Sequence, residues 1–325
     1  NAGTYEKVFE LLLRLRLNTL WPAMHNYSEA FNLREDENGV PINAKLADSY
    51  GIIMGASHCE MLLRNNEGEW NRWANANSGK YDAAGKPVYD YTVNPKALEA
   101  YWRERVEKNK DFEGIYNIGM RGIHDSGMTF QGLSNPTLAQ KIAVLQEVID
   151  CQRRILSEVL GKPAEEIPQA FIPYKEAAEY YNGNATTPGV QIPEDVILMW
   201  AEDNHGYLRQ TPTEAERQRS GGSGVYYHVS YWGVANTSYL WLNTTPLSQM
   251  YEELKKAYDT GAQKYWILNV GDIKPSEISL EFFANLSRNI DFCDDTNIEE
   301  YIARTAQRDF LLDGAQAAEV ADILT

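Results

Sequence analysis

The run VILMWAEDNHG, residues 196–206, changes character halfway along. Its first six residues are apolar without alternation, which suits a strand covered on both faces and not one with a wet side. The run is too short for a core helix. Where it stops, Glu202, Asp203, Asn204 and His205 follow at once. Parallel α/β folds place ligands and chemistry at the carboxyl ends of their strands. This stretch therefore predicts both a buried parallel strand and a polar site at its exit.

The same pattern recurs along the chain. Apolar runs stand at 18–23 (NTLWPA), 52–57 (IIMGAS), 115–120 (IYNIGM), 169–174 (QAFIPY), 225–231 (VYYHVSY) and 265–270 (YWILNV). Helical periodicity precedes or follows them at 5–17, 44–50, 95–109, 136–160, 246–260, 275–288, 298–310 and 313–324, and Gly261 is a natural stop for the helix at 246–260. Seven strands separated by helical or crossover segments predict a (β/α)₈ TIM-type barrel. A closed barrel needs eight, and this chain opens on a helix, so the first strand is expected upstream of Asn1. Residues 1–290 are read as the barrel segment and 291–325 as the start of a helical extension. The competing architecture, an open doubly wound sheet, lacks a GxGxxG after any strand. The richest loops fall at 65–93, 183–193 and 209–224, the last ending in GGSG.

Composition narrows the function classes. A formal charge of −16 argues against nucleic acid, whose binding rests on Lys and Arg neutralising phosphates. No apolar stretch approaches the ~20 residues of a membrane span, and no basic segment leading into an apolar one marks a signal peptide. Cys59, Cys151 and Cys293 are odd in number and far apart, giving neither a disulfide framework nor a CxxC zinc pattern.

Reading each strand exit in turn collects ionisable residues: Met24 and His25; His58, Cys59, Glu60, Arg64, Asn65, Asn66 and Glu67; Arg121, His124 and Asp125; Tyr174, Lys175 and Glu176; Glu202 to His205; His228 and Tyr231; Asn269 and Asp272. Carboxylates among Asn, Arg, Tyr and Trp suit glycoside hydrolysis, in which one carboxylic acid protonates the leaving oxygen and a second carboxylate activates water or attacks carbon. Plainer readings stand beside this one. Glu60 and Glu67 can be solvated or helix-start carboxylates, Asp203 an N-cap, and His228 a satisfied core histidine. Arg121 and Asp125 are harder to dismiss, because the glycine-flanked RGIHDSG directly follows a strand. A metal site would draw on His58-Cys59-Glu60 or His124-Asp125. No His-x-His occurs, however, and adjacent strand residues point to opposite faces. The same geometry weakens Cys59 as a nucleophile served by His58.

Several segments also resemble glycoside hydrolase family 115, the xylan α-1,2-glucuronidases. They are YEKVFELLLRLRLNTLWPAMH (5–25), LADSYGIIMGASHCEMLLRNNEGEW (46–70), IGMRGIHDSGM (118–128), IPQAFIPYKEAAEYYN (167–182), VILMWAEDNHGYLRQ (196–210), GGSGVYYHVSYWG (221–233), YLWLNTTP (239–246) and WILNVGDIKPSEISLEFF (266–283). The resemblance implies removal of glucuronic acid or its 4-O-methyl ether from xylan side branches, with inversion and without cofactor or metal. Inversion needs two carboxylates roughly 6.5–9.5 Å apart. Carried onto this sequence, Asp125 and Glu176 are the catalytic pair, with Asp125 preferred as general acid and Glu176 as general base. Arg121 is expected to clamp the uronate carboxylate. Asn204, His58, Tyr231 and His25 are expected sugar contacts, and Asn66 and Glu67 line a specificity loop. The resemblance implies glucuronoxylan or a related uronic-acid-decorated glycan as partner, no nucleic acid or membrane, a periplasmic or extracellular setting, and a full-length protein that can be a homodimer. IHDSG departs from the GDxDEPM-like form of relatives, whose first barrel strand also carries acidic residues. Two other classes remain: a non-catalytic glycan-binding fragment, or a metal-dependent barrel hydrolase.

Overall fold

The structure, a computed structural model, describes residues 2–23, 30–231, 243–294 and 296–324. The chain divides into two compact units, Asn1–Ile197 and Leu198–Thr325.

In the first unit, β1 (Thr19–Leu20) lies parallel to β2 (Ile53–Met54), with Thr19 opposite Ile53. Met54 bridges in parallel to Gly114, and Ile115 N–H donates to Met54 O at 2.8 Å. That bridge leads into β3 (Tyr116–Asn117), which runs parallel to β4 (Gln169–Phe171). Parallel neighbours cannot be joined by a tight turn, so helices fill the connections. The helix Pro95–Asn109 precedes β3 and Leu138–Leu160 precedes β4. The latter shows why the sequence folds as it does. Thr137 and Gln140 form a reciprocal capping box, Gly161 ends the helix in the left-handed region at φ 65°, and the stripe Ile142, Leu145, Val148, Ile149, Ile155 and Leu156 is buried.

In the second unit, β5 (Ile197–Ala201), β6 (Ser223–His228) and β7 (Tyr265–Asn269) pair in parallel in chain order from Leu198 onward. The helix Leu247–Asp259 connects β6 to β7, and the helices Glu277–Arg288, Ile298–Phe310 and Gly314–Leu324 follow. Each of the seven predicted strands is found; most are trimmed at their ends, while β6 begins two residues earlier than the predicted run.

Two loop readings need correction. Ser223 and Gly224, read as the end of the loop at 209–224, belong to β6. A Cβ at Gly224 would stand 1.9 Å from the Tyr265 carbonyl oxygen, so glycine here lets two backbones meet and does not loosen a loop. Within the loop at 65–93, Gly68–Ala76 is a helix that buries Glu69, Trp70, Trp73 and Ala74. Glu69 is there the partner of two buried cations, at 3.0 Å from Arg64 Nε and in contact with Arg105 Nη2. Its charge disguises a core position.

Candidate active site

In the first unit, side chains from the exits of β2, β3 and β4 converge. The β3 exit is built with care. Gln152, wholly buried on the helix Leu138–Leu160, donates to Gly119 O at 2.8 Å and accepts from Gly119 N–H at 2.7 Å. A helix side chain thus replaces a strand partner, and two residues later Arg121 enters the site. The following loop folds back on itself, with Gly122 N–H donating to Ser126 O at 2.9 Å. A Cβ on Gly122 would lie 2.2 Å from the Gly127 carbonyl oxygen, so only glycine permits that closure. The fold-back returns Asp125 to Arg121.

Arg121 is buried and holds both predicted carboxylates. Its Nε donates to Glu176 Oε1 at 2.8 Å and its Nη2 to Glu176 Oε2 at 2.7 Å, the bidentate fork. Its Nη1 donates to Asp125 Oδ1. Asp125 takes two further contacts, from Lys175 Nζ on Oδ2 and from His58 Nε2 at 2.9 Å on Oδ1. Burial pushes the Asp125 carboxyl upward, but the hydrogen bonds and charges of His58, Lys175 and Arg121 outweigh it and hold the group well below the usual carboxylate range. Burial acts the other way on His58, holding its imidazole down at about 4 against the pull of Asp125. His58 is therefore neutral at physiological pH, with its Nε2–H directed at Asp125. Its ring meets the Tyr174 ring edge-on at 4.7 Å.

Lys175 and Glu176 follow β4. Lys175 has φ 54° and ψ −127°, a conformation that L side chains rarely adopt and that costs about 1–3 kcal/mol. His124 (φ 57°) and Asn204 (φ 71°) are also left-handed. Strain of this kind collects at strand exits here, where side chains must be aimed against local preference. In the sequence Lys175 is one polar strand exit among many with no role of its own, and no pattern there signals its backbone.

The remaining predicted residues divide. Asn66 is buried, and its amide donates to Gly122 O at 2.6 Å and His124 O at 2.9 Å, so it braces the Asp125 loop from beneath. Glu67 is half-buried at the start of the helix Gly68–Ala76. In the second unit, Asn204 and Tyr231 line an open cavity of about 390 Å³ together with His205, Gly206, His228 and Ser230. His228, read as a core histidine, is buried yet belongs to that wall. His25 lies outside the described residues.

The alternative chemistries do not assemble around the HCE triplet. His58 turns to Asp125, while Glu60 accepts from Asn65 Nδ2 at 2.8 Å. Cys59 is buried beside Ser57 Oγ at 3.3 Å, and burial pushes its thiol far above the ordinary range, the reverse of an activated nucleophile.

Two carboxylates held together at parallel strand exits suit the acid and base, or acid and nucleophile, of a glycosidase. The comparison with known families agrees: Glycosyl hydrolase family 115 matches residues 1–325, the whole chain. The chain belongs to glycoside hydrolase family 115. A solved structure described as "a novel family GH115 4-O-Methyl-alpha-glucuronidase, BtGH115A, with specificity for decorated arabinogalactans" is similar at 41% identity with a TM-score of 0.85, over 100% of this chain. This chain spans 39% of that relative's length. A second solved structure, a "GH138 enzyme targeting pectin rhamnogalacturonan II", is similar in fold alone, at 11% identity and a TM-score of 0.53 over 99% of this chain and 48% of that one. No curated protein matches.

Proposed function

We propose that this family 115 chain carries the catalytic carboxylates of an enzyme that hydrolyses α-linked glucuronic acid, or its 4-O-methyl ether, from the side branches of a plant polysaccharide. Xylan with α-1,2 linkages is the first candidate substrate. The decorated arabinogalactan named for BtGH115A is the second. The observation that carries the reading is the Asp125–Arg121–Glu176 arrangement.

Its geometry favours a division of labour opposite to the one preferred from sequence. A general base must be ionised, and Asp125, with Arg121, Lys175 and His58 around it, is held so. Glu176 is then the acid, taking up its proton when substrate binding draws it out of the Arg121 fork, which favours the ionised form while it lasts. An incoming uronate brings a negative charge to a cluster in which Arg121 and Lys175 already face Asp125 and Glu176. Of these two cations Lys175 is the more accessible, at 28% side-chain exposure against 3% for Arg121, so it is the one able to turn to substrate. Arg121 then orients the carboxylates rather than clamping the sugar.

In the same reading the seven strands belong to a TIM-type barrel. Residues 1–290 are the barrel segment and 291–325 open a helical segment. The enzyme works in the periplasm or outside the cell, where such polymers are met. No described helix is long and apolar enough to cross a membrane.

The test is uronic acid release by the full-length protein from glucuronoxylan and from decorated arabinogalactan, followed by proton NMR of the anomeric signal. First appearance of the β-anomer supports the reading and inversion together. First appearance of the α-anomer overturns inversion, and no release from either polymer overturns the function.

A further inference from the structure

Three side-chain amides, each wholly or almost wholly buried, reach the exits of β2 and β3 where the strand ladder ends. Asn117 Nδ2 donates to Ser57 O at 3.0 Å and also meets Ala56 O, directly before His58. Gln152 takes both main-chain groups of Gly119, two residues before Arg121. Asn66 Nδ2 donates to Gly122 O at 2.6 Å and to His124 O at 2.9 Å, directly before Asp125. Each amide thus grips backbone within two residues of one member of the charged cluster.

Asn66 stands on a rigid footing. Asn65 Oδ1 accepts the Glu67 N–H at 3.0 Å and the Glu69 N–H at 3.3 Å, and the Tyr101 hydroxyl donates to the Asn65 carbonyl. The Asn65 N–H donates to Glu69 Oε2 at 3.3 Å, and Glu69 is itself held by Arg64 and Arg105. Asn32 Nδ2 ties Glu69 Oε2 to Leu63 O, at 3.1 Å from each. Leu62 and Leu63 lead into this footing at φ 51° and 61°, left-handed values that a residue with a Cβ keeps only where its surroundings over-determine them. The buried ion cluster therefore fixes the place of Asn66, and Asn66 fixes the loop that carries Asp125.

From this arrangement we infer that Asn66, Asn117 and Gln152 are positioning residues, a neutral clamp that sets Asp125, His58 and Arg121 in contact by holding the main chain beside each. Amides suit the task for an electrical reason. Strand-exit carbonyls need new donors once the ladder ends, and an amide supplies them without net charge. A lysine or arginine in the same places would draw Asp125 or Glu176 away from Arg121, and a carboxylate would compete with both for it. The inference deepens the glucuronidase reading and rests on it for the reaction affected, but not for the clamp.

The test uses the full-length protein. Asn66→Asp keeps the side-chain volume but turns acceptors towards the Gly122 and His124 carbonyls. Asn66→Ser deletes the amide donor without adding charge, and it decides alone if the first variant does not fold. Gly122 N–H donates to Ser126 O and Ser126 N–H to Ile123 O, so loosening of the loop is read at these amides. Hydrogen–deuterium exchange across 121–128, followed by mass spectrometry, is expected to be at least about tenfold faster in both variants. On glucuronidated polymer, at a temperature where every variant is folded, kcat is expected to fall about 10–100-fold while KM changes less than about threefold. The double variant Asn66→Ser/Asp125→Asn should be no slower than Asp125→Asn alone, because the clamp then has no carboxylate to place. Gln152→Met and Asn117→Ser, which remove the bonds beside Arg121 and His58, should lower kcat likewise, and either one that keeps the parent kcat strikes that amide from the clamp. Unchanged exchange across 121–128 overturns the inference, and so do losses that multiply in the double variant. If the parent cleaves no polymer, the function fails while the exchange rates still decide the clamp.

Discussion

Arg121 grips Glu176 through two parallel hydrogen bonds of 2.8 and 2.7 Å while its remaining terminal nitrogen holds Asp125. One planar cation therefore fixes the separation and orientation of two carboxylates that arrive from different strands. A lysine carries the same charge but no fork. In Arg121→Lys we expect kcat to fall at least about a hundredfold, because the carboxylates lose their mutual alignment. Retention of more than a tenth of the parent kcat would show that alignment does not come from this residue.

The proposed division between Asp125 and Glu176 is tested by the leaving group. An aryl glucuronide with an acidic phenol leaves without protonation, so it bypasses the acid but not the base. Glu176→Gln should lose about 10²–10⁴-fold on polymer and far less on the aryl substrate. Asp125→Asn should lose comparably on both. The mirror-image result would restore Asp125 as the acid.

His58 predicts a pH-dependent stability. Burial holds its imidazole at about 4, below the 6.5 of an exposed histidine. Between those values the unfolded chain binds a proton that the folded one refuses, so stability falls as pH drops through that window, by up to about 1.4 kcal/mol per unit. Asp125 acts in the same direction but lower. Its stabilising contacts are complete above its unfolded value of 3.8 and are lost as pH falls further. Denaturant midpoints from pH 7 to 4 should decline more steeply for the parent than for His58→Gln. Parallel curves would mean that His58 is not buried neutral.

The β6–β7 seam gives a test of the fold. With 1.9 Å between a Cβ at Gly224 and the Tyr265 carbonyl oxygen, Gly224→Ala must push two strands apart. A loss of about 1–3 kcal/mol is expected by denaturant titration. Tolerance without loss would show that β6 and β7 do not approach as described.

Much of this molecule is legible from one dimension. Unbroken apolar runs such as VILMWA can satisfy water-free surroundings only as doubly covered strands, and the helical periodicity between them forces parallel order. All seven strands and the helices Pro95–Asn109, Leu138–Leu160 and Ile298–Phe310 follow from that. The strand-exit rule then gathers Asp125, Glu176, Arg121 and His58 without coordinates. Position along the chain does not fix which donor faces which acceptor. That Arg121 turns its fork to Glu176, that Asn66 braces a loop and that Lys175 sits at φ 54° are products of packing. Hydrophobic patterning is local and periodic, so it survives in the sequence. Hydrogen-bond pairing among polar side chains far apart in the chain, such as His58 and Asp125 at 67 residues, is settled only when the strands stand side by side.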